Sequence, residues 1–419
     1  MAGTADMIVV GGGPSGAVSA WLAARDGLRV VLIDPGKPTG RIEGLSPRLH
    51  RWLQATGLGD GGATIGPFPR RVDWDGQPQA VNAEHAVDRD RFDAHLRAAA
   101  QKAGVTIVQA LGQPAPGRVT LSEGRVFSAR WIIDARGRQA RQGGDRLPFA
   151  TLSICGWVRP DRPPVPGFDI TALPEGWLWR AALPGGRVWA QLTVDAHSRD
   201  PMETRLVQAL DRAGVGAVTP EPGLSARASA PLLPAAIGDL ECLPVGDALA
   251  AMDPLSGHGL FWAVSSALSA AAARRTLTAR PGSEALCRRY LEDRARATYL
   301  RNARIGRDFL RQEGRFAEHP FWSARRGFPD DRPAHIPVST PQIRPGTVIR
   351  NGLIEEMALL HTPEEPEGVG WFGQIPAAAL WRAMGDGATA GALEARWGPA
   401  VRPLHARLLR HMPRPAPAV

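Results

Sequence analysis

Six residues near the start of the chain, Gly11-Gly12-Gly13-Pro14-Ser15-Gly16, have the types and spacing that hold a pyrophosphate. Gly11 permits a tight turn, Gly13 lets backbone N–H groups approach phosphate oxygens, and Gly16 lets a helix pack closely against a sheet. Asp34 lies where a carboxylate accepts hydrogen bonds from a ribose. A second cluster comes late in the chain, where Gly246-Asp247 is succeeded by Asp253-Pro254 and then Gly257-His258-Gly259.

These residues need a strand, a turn and a helix to aim them. Met7 to Val10 is an apolar run leading into the first glycines, Ala17 to Arg25 is an alanine-rich helical stretch, and Val30 to Ile33 is a second apolar run ending at Asp34. Strand, glycine turn, helix, strand and acid in that order predict a dinucleotide site, without deciding between NAD and FAD. The late cluster comes after the strand Leu243 to Val245 and precedes a helix running to Arg275. Between the two, Leu45 to Leu58 reads as a helix, and Ala86 to Ala103 reads as a helix capped by Asp88 or Asp90, with Phe92 and Leu96 on its apolar face. Arg130 to Gly137 reads as a buried strand with Asp134 at its end.

From Phe149 to Pro231 the pattern becomes short alternating runs split by Pro and Gly. Gly176 to Val194 reads as a hairpin turning at Pro184-Gly185-Gly186, with Trp177 and Trp179 on one face, as sheet packing or as a substrate wall. Phe68 to Val81 reads as a smaller hairpin turning at Asp75-Gly76. Arg301, Arg304, Arg307, Arg311 and Arg315 recur at helical spacing, as a solvated face or as a docking face for an acidic protein partner.

Composition narrows the class. At 419 residues, 44% hydrophobic and 22% charged, the chain has room for two or three domains. The net charge of +9 is carried by arginine, Lys37 and Lys102 being the only lysines. Cys155, Cys242 and Cys287 form no CxxC, and the histidines form no HxH or HxxxH, so neither a dithiol centre nor a metal site is expected. No run approaches the roughly 18 apolar residues of a membrane span. No signal peptide is evident, a cytoplasmic location is expected, and no nucleic-acid partner is expected.

Taken in order, these segments resemble the FAD-dependent monooxygenases and their relatives, the flavin-dependent halogenases and geranylgeranyl reductases. The resemblance rests on the first glycine turn, on Glu43, Ser46 and Arg48, on Val87-Asp88-Arg89-Asp90-Arg91-Phe92-Asp93, on Asp134-Ala135-Arg136-Gly137, and on the late Gly-Asp and Asp-Pro segments. It implies an α/β fold: a Rossmann-like FAD-binding domain of the glutathione reductase type (1–67, 82–148 and 232–300), an inserted mixed β-sheet substrate domain (68–81 and 149–231), and a helical C-terminal module (301–419). It implies FAD contacts from Gly11, Gly13, Ser15, Gly16, Asp34, Arg48, Arg89, Asp134, Gly246, Asp247, Pro254, Gly257, His258 and Gly259. Asp247 would accept from the ribityl chain, and the Gly257–Gly259 turn would bring a helix N-terminus to the flavin ring, where it stabilises negative charge by roughly 0.3 to 1 kcal/mol. Arg89 reads locally as part of a capping cluster, and the resemblance has it reach the dinucleotide. His258 is the one catalytic candidate, a proton relay or a side chain pointing away from a turn whose backbone acts. Trp177 and Trp179 resemble the W-x-W that lines the substrate side in halogenases, whereas Arg70 and Arg71 stand in the region of their essential lysine, which disfavours halogenation.

The activity so implied is hydroxylation of an aromatic substrate through a flavin C4a-hydroperoxide, with O2 as oxidant and NAD(P)H or a partner reductase as electron donor. An aromatic side chain on a peptide or protein, such as a peptidyl tryptophan in quinone cofactor biogenesis, is the leading substrate, with a free aromatic small molecule next. A double-bond reductase and a non-catalytic flavoprotein maturation factor are the competing classes.

Overall fold

The computed structural model describes residues 5–140, 147–197 and 200–412. Parts of the expected domains at 1–4, 141–146, 198–199 and 413–419 lie outside the described residues. The chain divides into two compact units, one made of Met1–Arg274 with Leu291–Asp331, the other of Arg275–Tyr290 with Arg332–Val419.

In the first unit the Met7–Val10 strand lies between Val30–Ile33 and Trp131–Asp134, with Thr106–Val108 and Cys242–Pro244 outside them, all parallel. A parallel sheet covered on both faces requires continuously apolar strands, which is how these segments read. The Pro14–Arg25 helix is buried from Pro14 to Ala23. The small Gly112–Ala115, Arg118–Leu121 and Val126–Ser128 strands add Val119 and Leu121 to a core with Ile8, Val10, Ile33 and Ile132.

The mixed sheet runs in the order Val218–Pro220, Thr151–Pro160, Val188–Asp195, Gly176–Ala182, Gly167–Leu173, Thr64–Trp74, Gln77–Asp88, Ile42–Leu45, with Ser225–Ala228 also pairing Thr151–Pro160. The Gly176 hairpin forms as expected, Gly185 and Gly186 taking the positive φ its turn requires. The hairpin at Asp75-Gly76 is longer than expected and, with Ile42–Leu45, carries residues 42–45, 64–67 and 82–88 into this sheet, residues the resemblance had placed in the FAD-binding domain. Their strand character is hard to read because residues 77–83 are exposed on both faces and show no alternation.

The second unit holds the C-terminal helices expected from the sequence, together with strands that the sequence reading did not assign. Gln342–Arg350 and Leu353–His361 form a hairpin around Asn351 (φ 51°) and Gly352 (φ 77°), the pair that a two-residue turn with both φ positive favours. Helices Ala377–Gly385, Ala390–Trp397 and Val401–Leu409 come next, with a core of Leu360, Ile375, Leu380, Met384, Leu393, Val401 and Leu408. Residues 301–331, expected in this module, belong to the first unit.

The arginine series on the Glu284–Gln312 helix is corrected too. Arg304 and Arg307 are 6% and 3% exposed, and Arg304 grips Asp330 with Nε and Nη2 at 2.9 and 2.7 Å while Arg307 reaches Asp308 at 2.6 Å. Arg311 donates to the Arg326 carbonyl and Arg315 to the buried Glu313. A solvated or docking face needs free guanidinium groups; Arg304, Arg307 and Arg311 instead fasten the helix to the segment C-terminal to it, and Arg315 lies past the helix end. Among the described residues no helix is long and apolar enough to cross a membrane.

Candidate flavin site

The first glycine turn is built as its spacing implies. Gly11 has φ +106°, and a Cβ there would stand 2.3 Å from the Ala135 carbonyl oxygen; at Gly16 it would stand 1.8 Å from that of Gly11. Gly13 caps the Pro14–Arg25 helix with no side-chain hydrogen bond and nothing within 4 Å of its missing Cβ. The first N–H groups of the helix are therefore left for an anion. Asp34 accepts from the Gly12 N–H at 2.6 Å and the Gly36 N–H at 2.7 Å, which fixes the carboxylate beside the turn, and Arg97 donates to the Gly12 carbonyl.

The two glycine segments meet. Gly246, at φ +58°, has the Ser15 hydroxyl 2.7 Å from where its Cβ would be, and its N–H donates to Ser266 at 2.8 Å. Trp262 donates its indole N–H to the Gly246 and Ala250 carbonyls, so the late helix pins the loop from beneath. Asp134 holds Arg136 in a two-pronged pair, and its carbonyl accepts from Val245. Asp247 stands 3.4 Å from Arg138; removal from water pushes its carboxyl above the ordinary value against the attraction of Arg138.

Asp253 organises the loop before the last glycines. Its Oδ1 accepts from the Leu255 N–H at 2.8 Å, and its carbonyl accepts from the Ser256 hydroxyl at 2.7 Å. A Cβ on Gly306 would come within 2.9 Å of its carboxyl carbon, so a glycine inside a long helix makes the room. Burial pushes Asp253 up to about 6. Pro254 starts a short turn ending at Gly257, φ +66°. Gly257 and Gly259 have nothing within 4 Å of a missing Cβ and stand exposed at the start of the Gly259–Ala279 helix. His258 Nδ1 bonds the Ser256 carbonyl, so Nδ1 carries the hydrogen and Nε2 is the acceptor of the neutral ring.

A third group surrounds Glu43. Arg89, 7% exposed, donates to Glu43 at 2.6 Å and twice to Asp93, at 3.0 and 2.9 Å; Arg41 stands 3.4 Å from Glu43. Burial raises the Glu43 carboxyl, but Arg89 and Arg41 outweigh it and hold it below its ordinary value. Arg89 thus spends its charge on two carboxylates, and it is the anchor of Glu43. Ser46 caps the Pro47–Ala55 helix, and Arg48 lies 4.9 Å over the Phe261 ring on the late helix. Asp88 caps the Arg89–Lys102 helix, whereas Asp90 ties down Thr39 and Gly40. Cys155 is buried nearby, its thiol pushed up to about 12 by desolvation.

Trp177, 4% exposed, packs with Trp74, Ile170, Leu255, Leu310, Phe321 and Trp322, and Trp179 stacks on Phe168 with centroids 6.0 Å apart. Leu255 belongs to the loop that Asp253 organises, so Trp177 is the sheet's contact with that loop.

Arg41, Arg97, Arg138, Arg227 and Gly306 were not singled out from the sequence. Only Gly306 carried a signal, a glycine in mid-helix where it costs about 1 kcal/mol.

Two open glycine turns at helix N-termini, joined through Ser15 and Gly246 and flanked by Asp34 and Asp247, fit a dinucleotide whose pyrophosphate lies on the first turn and whose flavin meets the second. Residues 9–44 match the NAD(P)-binding Rossmann-like domain family. Over 98% of this chain and 99% of its own, the solved structure of QhpG, a peptidyl tryptophan dihydroxylase essential for tryptophylquinone cofactor biogenesis, superposes with a TM-score of 0.78 and 32% identity. The menaquinone reductase of Mycobacterium tuberculosis is 27% identical over 61% of this chain and 73% of its own. The digeranylgeranylglycerophospholipid reductase of Thermoplasma acidophilum is 31% identical over 32% of this chain, and the match spans 38% of that protein. The chain belongs to the FAD-dependent monooxygenase and halogenase-like superfamily of oxidoreductases, in the family that contains QhpG.

Proposed function

We propose that this protein is a cytoplasmic FAD-dependent hydroxylase of an aromatic side chain, a tryptophan presented on a peptide or protein, using O2 and electrons from NAD(P)H or a partner reductase. The end-to-end correspondence with the peptidyl tryptophan dihydroxylase carries this reading, because it takes in residues 332–412 as well as the dinucleotide-binding part. Arg70 and Arg71 are drawn toward Glu84 and Asp169, and neither lysine lies in that hairpin, which weighs against halogenation.

FAD, when bound, supplies O2 activation and delivery of an oxygen atom to an electron-rich carbon. The chain's residues do the rest. The Gly11–Gly16 turn holds the pyrophosphate, Asp34 the ribose and Asp247 the ribityl hydroxyls, and the Gly257–Gly259 backbone offers N–H donors to the electron-rich edge of the ring. The packed wall of Trp177, Leu255 and Trp322 keeps water from one side. His258, with Nε2 free to accept, can take the proton that leaves the aromatic carbon. Each oxygen inserted consumes one O2 and two electrons, the second oxygen atom leaving as water.

The test is incubation of the FAD-loaded protein with NADH or NADPH, a general flavin reductase, 18O2 and tryptophan-containing peptides, with menadione in parallel. Mass spectra showing one or two labelled oxygens on tryptophan are expected. Efficient quinone reduction with no labelled peptide would replace the hydroxylase reading with a reductase one.

A further inference from the structure

We propose that Arg41 and Arg227 form a carboxylate-binding subsite beside the flavin site, taking an acidic group carried by the substrate close to its aromatic ring. The inference rests on the hydroxylase reading above for the identity of that substrate.

Arg227 lies on the Ser225–Ala228 strand and Arg41 immediately precedes the Ile42–Leu45 strand, elements far apart in sequence. They are brought together by the Thr39–Arg41 segment. Asp90 fixes that segment through Thr39 and Gly40, Arg227 Nη2 donates to the Thr39 carbonyl at 2.8 Å, and the Arg41 carbonyl accepts the Arg89 N–H at 3.0 Å. Two guanidinium groups are thereby held near each other, and burial first and then Arg41 weaken the tendency of Arg227 to stay charged.

The local acids relieve this only in part, Glu43 acting on Arg227 from a distance. Glu43 is already gripped by Arg89 at 2.6 Å, and Arg41 only approaches it at 3.4 Å. Asp93 is taken up by Arg89, and Asp247 faces Arg138. Among the described residues Arg227 has no carboxylate partner, and the Thr39 carbonyl takes one of its five N–H donors. Arg41 Nε is buried without a hydrogen-bond partner. An arginine pair with so many unused donors in a fixed fork matches a carboxylate held by two parallel hydrogen bonds. Both arginines are half-buried, so a ligand can reach them. The place suits a substrate group, since Arg41 acts electrostatically on Glu43 and on Asp247, the flavin-side acid.

The experiment uses the FAD-loaded full chain and two matched pairs of probes: indole-3-acetate against indole-3-acetamide, and a tryptophan peptide flanked by Glu against one flanked by Gln. Binding is read from the flavin difference spectrum and by calorimetry. Indole-3-acetate is expected to bind roughly tenfold more tightly than its amide, the preference shrinking in high salt. In Arg41→Gln and Arg227→Gln it should fall below about twofold while FAD content stays that of the parent, and Arg227→Lys should restore part of it. The Glu peptide gaining the same advantage places the acid on a peptide. An advantage confined to indole-3-acetate keeps the subsite and rejects the peptide substrate. No preference in the parent protein, or an unchanged preference in both Gln variants, overturns the proposal. Loss of FAD from the Gln variants, with thermal unfolding unchanged, overturns it in favour of a cofactor phosphate contact.

Discussion

Asp253→Asn tests the energetics of the loop that leads into the second glycine turn. Asn keeps the shape of the side chain and an oxygen for the Leu255 N–H, and Gly306 leaves room for its amide. It removes a buried charge. The native carboxyl ionises near 6, against 3.8 for an unconstrained Asp, so the folded protein holds this proton more tightly than the unfolded chain. Above about pH 6 the full cost of the buried carboxylate is present, and it disappears as pH falls through the window from about 6 to 3.8. That gap is worth at most about 3 kcal/mol. Urea unfolding of the FAD-free variant and parent, compared from pH 4.5 to 8, should show the variant more stable by roughly 2 to 3 kcal/mol at pH 8, with the advantage shrinking steadily toward acid. A difference that does not change with pH, or a variant that is less stable throughout, would refute the argument that desolvation of the Asp253 carboxylate outweighs the Leu255 N–H and the attraction of Arg325 and Arg138.

The two ends of the first glycine turn should behave oppositely. Gly13→Glu has space for its Cβ, so the variant should unfold like the parent in a thermal melt yet purify colourless; a yellow preparation would remove the turn from the cofactor site. Gly16→Ala meets a backbone carbonyl 1.8 Å away and should lose about 1 to 3 kcal/mol even without FAD, measured by urea unfolding. Gly257→Trp fills the open second turn and should abolish FAD binding in a fluorescence titration, while normal affinity would place the ring elsewhere. Arg304→Ala should cost roughly 1.5 to 3 kcal/mol of stability by stripping Asp330 of its two charged hydrogen bonds, and should leave binding of an acidic protein unaltered by surface plasmon resonance.

The parallel sheet and both glycine turns were legible because each depends on neighbours in sequence: apolar runs, a helix start and glycines at fixed offsets. The Gln77–Asp88 strand was half legible, since a strand exposed on both faces loses the alternation that marks burial. The Gln342–His361 hairpin carried its signal in Asn351-Gly352, but it lies between a proline-rich approach and an acidic cluster, and the reading assigned no element there. The site's charges were least legible. Arg41, Arg89, Arg138, Arg227 and Asp247 come from separate elements, and only the fold decides that Arg89 spends its charge on Glu43 and Asp93. The same holds for Arg304 and Arg307, whose spacing marked a helix face but could not say that Asp330 waits opposite it.

The backbone passes between the parallel and the mixed sheet at four points: after Ile33, after Asp88, after Asp134 and after Ala228. No single cut therefore separates the mixed sheet from the parallel one. The stretch from Thr151 to Ala228 supplies six of the nine mixed-sheet strands without a strand of the parallel sheet, whereas Ile42–Leu45, Thr64–Trp74 and Gln77–Asp88 come from an earlier excursion of the chain. Exchanging that stretch alone would leave three original strands in the sheet, and Gly167–Leu173 would still have to pair with Thr64–Trp74. In the laboratory, chimaeras with relatives should be drawn along residue contacts and not along chain segments.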